Sequence, residues 1–407
     1  MDVPSYCGVE CMKILGIETS CDETAVCLIE ACGTFEQNFS FKVFGNALLS
    51  QVAVHAPYGG VFPNLAKREH SRNLVPLLAR VFQQSRVPRG STSGIDTDGL
   101  RDILEREPEL CTQLEMFLAT HGKPDIDAIA VTHGPGLEPA LWVGVNFARA
   151  LSTVWNVPIV PVNHLEGHIA MAIVSNPDTS LYNEVSGLRI KESGFPAIAL
   201  LISGGHTELD LVREWPHFET LGETRDDAVG EAFDKVARMM GLPYPGGPQI
   251  SALAETARNT YRGPYSVSLP RPMLHEKNFD FSFSGLKTAV LRLVKDKTLS
   301  EDEKMALARE FEEAATDVLV HKTVRAVEEY GAQTVLVGGG VSANAHVKRE
   351  LKKALDNAGA QLLVPPPEWA TDNALMIALV GYFHALNNEF IEAATLRANG
   401  NLKLGRN

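Results

Sequence analysis

Short apolar segments alternate with amphipathic segments along the chain, and this pattern predicts layers of strands and helices. An apolar run of about 4–8 residues between polar or glycine-rich turns is typical of a buried strand. Such runs predict strands at 13–17, 25–29, 126–131, 158–162, 196–202, 334–337 and 361–364. Helical spacing predicts helices at 62–84, after 136, from His164, around 230–235, at 285–296, at 300–330, up to about 359, and from Thr371–Asp372. The expected fold class is α/β.

One arrangement occurs twice. In Ile14–Ile29 and again in Ala197–Val212, a strand runs into a polar or glycine turn and directly out into a second strand. A duplicated nucleotide-binding lobe would have this pattern, with each hairpin contacting phosphate from one side of a cleft. The sequence therefore favours two related lobes.

Two glycine turns follow apolar strands, Ser203–Thr207 and Gly338–Asn344. Glycine has no side chain, so backbone N–H groups there can approach an anionic oxygen, and a helix N-terminus after the second turn favours anions. Neither turn has the spacing of a P-loop or of a Rossmann fingerprint. Each could be a tight turn alone, but both together with the acidic turn Glu18–Asp22 favour nucleotide binding.

His164 and His168 are four residues apart on a predicted helix, a spacing that puts both imidazoles on one face and suits metal binding. Buried or exposed histidines without a metal are the alternative. Glu166 is rotated by roughly 200° from the first histidine, so the H-E-x-x-H pattern of zinc proteases is disfavoured. Asp372 is the best candidate for a third ligand, although it could instead be a helix N-cap.

Asp234 lies on a predicted helix, and a Pro-Gly-Gly turn containing Gly247 follows it. An aspartate that faces a cleft can bind substrate hydroxyls, and the turn would permit close backbone approach. A surface charge and a rigid loop explain the same residues equally well.

Charge and cysteine content narrow the class of protein. The net charge of −13 argues against a chain that coats nucleic acid unaided. Residues 60–90 are an exception, since they carry six cations and one acid. This segment could be a solvated helix face or a patch that contacts phosphate.

The six cysteines form no C-x-x-C pair and are expected to be reduced. We see neither a membrane span nor a targeting segment, so the expected compartment is the cytoplasm.

A set of motifs, taken in order, resembles the TsaD family of tRNA threonylcarbamoyladenosine-forming transferases. The matching segments are Gly16–Thr24, Asn163–His168, Leu201–Thr207, Gly230–Lys235, Asp280–Lys287, Gly338–Asn344 and Thr371–Asn373. The resemblance implies a two-lobed actin-like ATPase fold and transfer of threonylcarbamoyl from threonylcarbamoyl-AMP to tRNA. It also implies that His164, His168 and Asp372 hold one Fe²⁺ or Zn²⁺, and that the substrate site is lined by Leu201, Ile202, Ser203, Gly204, Gly205, Asp234, Gly247 and Asn344.

The resemblance further implies how the chain divides into lobes and which partners it has. We expect one lobe at 12–160 plus about 378–407 and the other at 161–377, with ATP or ADP also able to enter the cleft. The expected partners are tRNA and accessory proteins, namely a paralogous actin-like subunit and a small ATPase if the protein is bacterial. Segments 85–115 and 175–194 look longer than is usual in the family. An ATP-dependent kinase or chaperone-like ATPase of the same fold is the alternative function, and a non-catalytic scaffold a further one.

Overall fold

The computed structural model describes residues 11–92, 97–174, 181–188, 194–260 and 267–405. Most of the segment 175–194, which looks longer than is usual in the family, and the whole of 1–10 with Cys7 therefore lie outside the described residues. None of the described helices combines the length and the apolar character that crossing a membrane requires.

The first sheet has six strands in the order β5-β4-β1-β2-β3-β6. β1, β2 and β3 are antiparallel neighbours, whereas β4 is parallel to β1 and β5 is parallel to β4. The strands are β1 Cys11–Glu18, β2 Glu23–Cys32, β3 Ser40–Ser50, β4 Ala128–Gly134, β5 Ile159–Asn163 and β6 Glu184–Ser186.

The second sheet repeats this topology with five strands in the order β11-β10-β7-β8-β9. The hairpin β7-β8 again continues into an antiparallel third strand, and two parallel strands again follow on the other side. The strands are β7 Ala197–Ile202, β8 Thr207–Glu214, β9 His217–Glu223, β10 Thr334–Gly338 and β11 Gln361–Leu363. The duplicated mixed sheet confirms the predicted two-lobed fold.

Helices cover both faces of each sheet, which explains why the central strands are almost wholly apolar. The helices are α1 Val52–His55, α2 Pro63–Ser85, α3 Leu100–Ile103, α4 Pro108–Leu118, α5 Glu138–Trp155, α6 His164–Ile173, α7 Val229–Met239, α8 Gly246–Thr260, α9 Ser284–Val294, α10 Glu301–Tyr330, α11 Ala345–Ala358 and α12 Ala374–Leu386. Short 3₁₀ turns occupy 56–58, 340–343 and 367–369.

Two helices connect the lobes and position the site. α12 is buried over nearly its whole length and packs against β1, β2 and β4 of the first sheet. α6 packs against α12 on one side and against β7 and β10 of the second sheet on the other. The residues around the start of each helix therefore meet between the two sheets.

The sequence analysis was wrong about the cysteines. Cys11 and Cys32 form a disulfide, whereas Cys21, Cys27 and Cys111 are free thiols. The reason is the strand register: β1 and β2 are antiparallel, and Cys11 is directly opposite Cys32 at the open end of the hairpin. Spacing along the chain does not reveal such a pair, because it depends on the length of both strands.

The basic segment 60–90 is partly neutralised by the part of the chain that follows it. Lys67 pairs with the buried Glu107 at 3.0 Å, and Arg72 pairs with Glu69 at 3.1 Å and approaches Glu109 at 3.6 Å. Glu107 and Glu109 lie at the beginning of α4, which packs against α2. Two of the six cations thus serve contacts within the lobe, which favours the helix-face interpretation for these two.

Candidate metal centre and nucleotide cleft

α6 presents both histidines at the junction of the lobes. β5 runs directly into this helix, and the N-cap Asn163 accepts a hydrogen bond from Leu165 N at 2.9 Å, which fixes the first turn. His164 and His168 follow one turn apart and are 5% and 1% exposed. Their ring centroids are 4.7 Å apart. Two imidazoles this close and this buried are available to a common ligand.

Asp372 completes the group from the other helix. It lies just before α12, whose N-cap is Asn373, because the Asn373 side chain accepts from Met376 N at 3.0 Å. Asp372 is therefore not the cap, and its Oδ1 lies 3.1 Å from His168 Nε2 and 3.4 Å from His164 Nε2. The structure brings together three residues that are far apart in the sequence.

The geometry and chemistry of this group fit one divalent metal ion. The ligand atoms of His164, His168 and Asp372 all lie within 4.8 Å of one another. Ligands held about 2.1 Å from a common ion are roughly 3–4 Å apart, and Asp372 Oδ1 lies 3.4 and 3.1 Å from the two imidazole nitrogens. Two imidazoles and one carboxylate suit zinc or non-haem iron better than magnesium or calcium.

Glu18 supports the group from behind. Glu18 Oε2 lies 3.1 Å from His164 Nδ1 and accepts a hydrogen bond from Thr132 Oγ1 at 2.6 Å, and Ser20 Oγ lies 3.2 Å from the same ring nitrogen. Glu18 is fully buried at the end of β1. A carboxylate on Nδ1 holds a proton there and turns Nε2 toward Asp372, as is common for metal-binding histidines. The sequence indicates the acidic turn Glu18–Asp22, but it does not reveal that Glu18 supports His164.

Carboxylates dominate the electrostatics of the centre. Burial raises the pKa of Glu23 to about 10, and the nearby charges of Asp372 and Asp22 add to the effect. Burial also lowers the pKa of His164, but Asp372 and Glu18 outweigh it and raise that pKa well above 6.5. Burial opposes ionisation of Asp372, whereas the two imidazoles lower its pKa well below 3.8. So many acidic groups around two imidazoles favour a cation.

The first glycine turn lies at the end of β7 and is open on one side. Ser203 Oγ accepts from the N–H groups of Gly205 and His206 at 3.2 and 3.0 Å, which closes the turn. No heavy atom lies within 4 Å of where a Cβ would stand on Gly204 or Gly205, so a ligand can approach the backbone. Leu201 and Ile202 precede the turn as buried strand residues.

The second glycine turn joins the first to the metal centre. A Cβ on Gly338 would lie 2.9 Å from His168 Cβ and 2.9 Å from Leu201 Cδ2, so only glycine permits this approach. Gly339 has φ of +87° and lies against the carbonyl of Ile202. Both turns and α6 therefore meet at one place.

The remaining predicted residues lie in the second lobe on the side of α8. Asp234 Oδ1 accepts from Gly246 N at 2.7 Å and from Gly247 N at 3.3 Å, so Asp234 and Gly247 are brought together. Gly247 belongs to a helix that begins at Gly246, where the sequence analysis expected a turn. Asn344 is the N-cap of α11, and its amide nitrogen donates to Ser251 and Glu312 at 2.9 and 2.8 Å.

Glu166 points away from this chemistry. Its carboxylate pairs with His384 Nε2 at 2.9 Å. Burial lowers the pKa of the partly buried His384, but Glu166 and Glu389 outweigh it and raise that pKa to about 9. Glu166 thus joins α6 to the end of α12 instead of serving as a base beside the histidines. This agrees with the sequence argument against a zinc protease.

Known proteins resemble the chain over nearly its whole length. The sequence model of the family described as "TsaD: tRNA N6-adenosine threonylcarbamoyltransferase" matches residues 42–95 and 116–379. The transferase of that name from Persephonella marina is 39% identical over 91% of this chain and 90% of its own length. The one from Chromobacterium violaceum is 40% identical over 94% and 95%.

A solved structure of full-length HypF in the phosphate- and nucleotide-bound form has a TM-score of 0.49 and 11% identity, and the match covers 93% of this chain and 46% of HypF. The matched ranges of the family model omit residues 96–115, which hold α3 and most of α4. The extent of the family match and the identity of the relatives confirm the resemblance read from the motifs: the chain belongs to the TsaD family of tRNA N6-adenosine threonylcarbamoyltransferases.

Proposed function

We propose that the chain transfers the threonylcarbamoyl group of threonylcarbamoyl-AMP to the exocyclic amine of the adenosine 3′ of the anticodon, in tRNAs that read ANN codons. AMP is the other product. Family membership supports the reaction, and one structural observation carries the site: His164, His168 and Asp372 meet beside the two glycine turns. The reaction would take place in the cytoplasm, where the tRNA substrate is available.

The substrate would lie along the glycine turns, and the same cleft would admit ATP or ADP. The backbone of Ser203, Gly204 and Gly205 is open enough to hold the phosphate of the adenylate, and this contact would make AMP a good leaving group. Asp234, Gly247 and Asn344 line the neighbouring side at α8 and α11 and would contact the nucleoside. An adenine amine is a weak nucleophile, so positioning must supply much of the rate.

His164, His168 and Asp372 would hold Fe²⁺ or Zn²⁺, which would act as a Lewis acid and template for the threonylcarbamoyl group. The chain prepares the ligands before the ion arrives. Glu18 keeps a proton on His164 Nδ1 and leaves Nε2 free to bind. Asn163 fixes the first turn of α6, and Asn373 fixes that of α12, so the three donor atoms keep their mutual distances.

We further propose the division into lobes at 12–160 plus about 378–407 and at 161–377. The two sheets and their helices support it, although α12 begins on the first sheet at Ala374. The accessory proteins would be a paralogous actin-like subunit and a small ATPase if the protein is bacterial. The net charge of −13 supports a need for partners, because an acidic chain gains little from phosphate contacts.

Removal of the ligands tests the function. The double variant His164→Ala/His168→Ala and the single variant Asp372→Ala should lose bound metal, measured by elemental analysis of the purified protein. Both should also lose transfer from synthetic threonylcarbamoyl-AMP to unmodified tRNA. His217→Ala is the matched control, since His217 is exposed and its contact is a surface pair with Glu214 at 3.4 Å.

Undiminished modification of tRNA by the double variant would refute the assignment. The alternative functions give different results in the same assay. A kinase or chaperone-like ATPase would release ADP from ATP and would not consume threonylcarbamoyl-AMP. If the chain were a non-catalytic scaffold, the assembled complex would remain active when Asp372 is replaced.

A further inference from the structure

Two aromatic side chains stand in solvent on the segment between β3 and α2. Tyr58 is 65% exposed and Phe62 is 53% exposed. Their ring centroids are 6.0 Å apart and the ring planes differ by 26°, so they form an offset stack. Large aromatic side chains are usually buried, and an exposed stacked pair is typical of a binding surface.

This pair is held in place by hydrogen bonds that lead to the candidate site. Phe62 N donates to Nδ1 of the buried His55 at 3.3 Å, and His55 Nε2 lies 3.1 Å from Gln51 Oε1. Gln51 N in turn donates to Asp22 O at 2.9 Å. Asp22 belongs to the acidic turn of the candidate metal centre, so the backbone at Phe62 is connected to that turn.

A cation from the other lobe lies beside the segment that carries the rings. Arg238 is exposed on α7, one helical turn after Asp234 and on the same face of that helix. Its Cδ is 3.5 Å from the place of a Cβ on Gly59, the residue between the two aromatic positions and in the left-handed region at φ +68°. Two acids close in sequence, Asp227 and Glu231, both pair with Lys235 at 2.8 Å.

We propose that Tyr58, Phe62 and Arg238 form a platform on which unpaired bases of the tRNA anticodon loop stack. Aromatic rings and an arginine plane bind single-stranded RNA by stacking, which works for any base. The platform would draw on both lobes, because Tyr58 and Phe62 come from the first and Arg238 from the second. Arg238 lies on the same face of α7 as Asp234, so a base stacked there would be close to the proposed nucleoside contact.

The charge of the chain favours stacking over a broad phosphate patch. At −13 the protein as a whole repels a polyanion, and Lys67 and Arg72 are already paired with acids. A ring stack attracts bases without a positive field, and the exposed Arg238 supplies local charge complementarity. A protein partner could also cover exposed aromatic residues, and the test below separates the two occupants.

The inference rests on the proposed function, because it takes tRNA as the substrate. The test uses the full chain and a fluorescent anticodon stem-loop RNA, with a fully paired RNA of equal length as competitor. Tyr58→Ala/Phe62→Ala should weaken binding of the stem-loop by roughly tenfold or more, since stacking contributes strongly for each base. Arg238→Gln should weaken it less and make the salt dependence shallower.

Two matched variants control for surface and fold. Tyr58→Phe keeps the ring and should bind within about twofold of the wild type, and so should Phe390→Ala, which removes an exposed aromatic (41%) elsewhere. Thermal unfolding and metal content should be unchanged in all of them, since the rings are exposed. The fully paired RNA should bind equally to all ring variants.

Equal stem-loop affinity of the double variant and the wild type would overturn the platform. So would a loss confined to binding of the accessory proteins, which would assign the surface to a protein partner. Transfer activity of the wild type is measured in parallel. If it fails, the proposed function is wrong, whereas an active wild type with unaffected ring variants refutes the platform alone.

Discussion

Glu18 decides how His164 is presented. Its two oxygens receive Ser20 N on one side and Thr132 Oγ1 with His164 Nδ1 on the other, so each oxygen is used. An amide in its place has one oxygen and one NH₂ group. Whichever way the glutamine amide turns, its NH₂ group faces another hydrogen-bond donor of this buried pocket, and that donor loses its acceptor.

We therefore expect Glu18→Gln to lower the affinity for the metal by about 10–100-fold, the usual effect of losing such a supporting contact. A competition titration against a chelator measures this independently of activity. Glu30→Gln, on the half-exposed edge of β2, is the control and should keep the affinity. Equal affinities in the two variants would show that Glu18 does not orient His164.

The sequence allows His164, His168 and Asp372 to be proposed as candidate ligands, but it does not reveal the residues that support them. His164 and His168 are four apart on a helix, and Asp372 stands just before another apolar segment, so local spacing suffices to propose them. Glu18 acts through Thr132 and His164, which are more than 110 residues away and meet it only after β1, β4 and α6 are in place. The strand register that pairs Cys11 with Cys32 was hidden for the same reason.

At the scale of elements, α12 holds Asp372 in place because it lies close against β1. A Cβ on Gly16 would be 2.4 Å from Ala374 O and 2.9 Å from Ala378 Cβ. Tightly packed interiors tolerate such an added atom only by moving. Any movement here displaces the beginning of the helix, two residues from Asp372.

Gly16→Ala should therefore reduce both stability, by about 1–3 kcal/mol, and metal affinity. Gly381→Ala is the matched comparison: its Cβ would meet Ala130 Cβ at 2.2 Å, but at the other end of α12. It should lower the thermal midpoint to a similar extent while retaining more of the metal affinity. Equal losses of metal affinity in both variants would contradict the link between Gly16 and Asp372.

Elements were predictable where their pattern was uniform. The fully apolar β7 and β10 and the capping-box helix α10, which begins at Glu301 after Ser300, appear where expected. β3 and β9 were missed because neither contains the continuous apolar run on which the strand predictions rest, although the alternating burial along β3 is the pattern of a strand with one buried face. α8 was not predicted, because two glycines, Gly246 and Gly247, begin it and Asp234, twelve residues earlier, supplies the acceptor for their amides.

At the scale of the whole molecule, the end of the chain connects both lobes. Asn399 N donates to His133 O at 2.8 Å beside the first sheet, and Leu404 is buried against the second sheet. Between them, Lys403 O accepts from Asn163 Nδ2 at 3.2 Å. Because Asn163 caps α6, the tail supports the helix that carries His164 as well as the contact between the lobes.

Ending the chain after residue 401 should therefore keep the contacts to the first lobe and lose those to the second. Exposure of the Leu404 pocket alone costs about 1.5–3 kcal/mol, so the thermal midpoint should fall. Hydrogen exchange should rise at β9 and at the first turn of α6, and metal affinity should decrease because the cap of α6 is less fixed.

Lys403→Ala is the control: it keeps the backbone contact and loses only a half-exposed ion pair with Glu223, worth less than about 1 kcal/mol. Faster exchange at α6 in both variants would show that the ion pair, and not the passage of the tail across the lobes, holds this end of the helix.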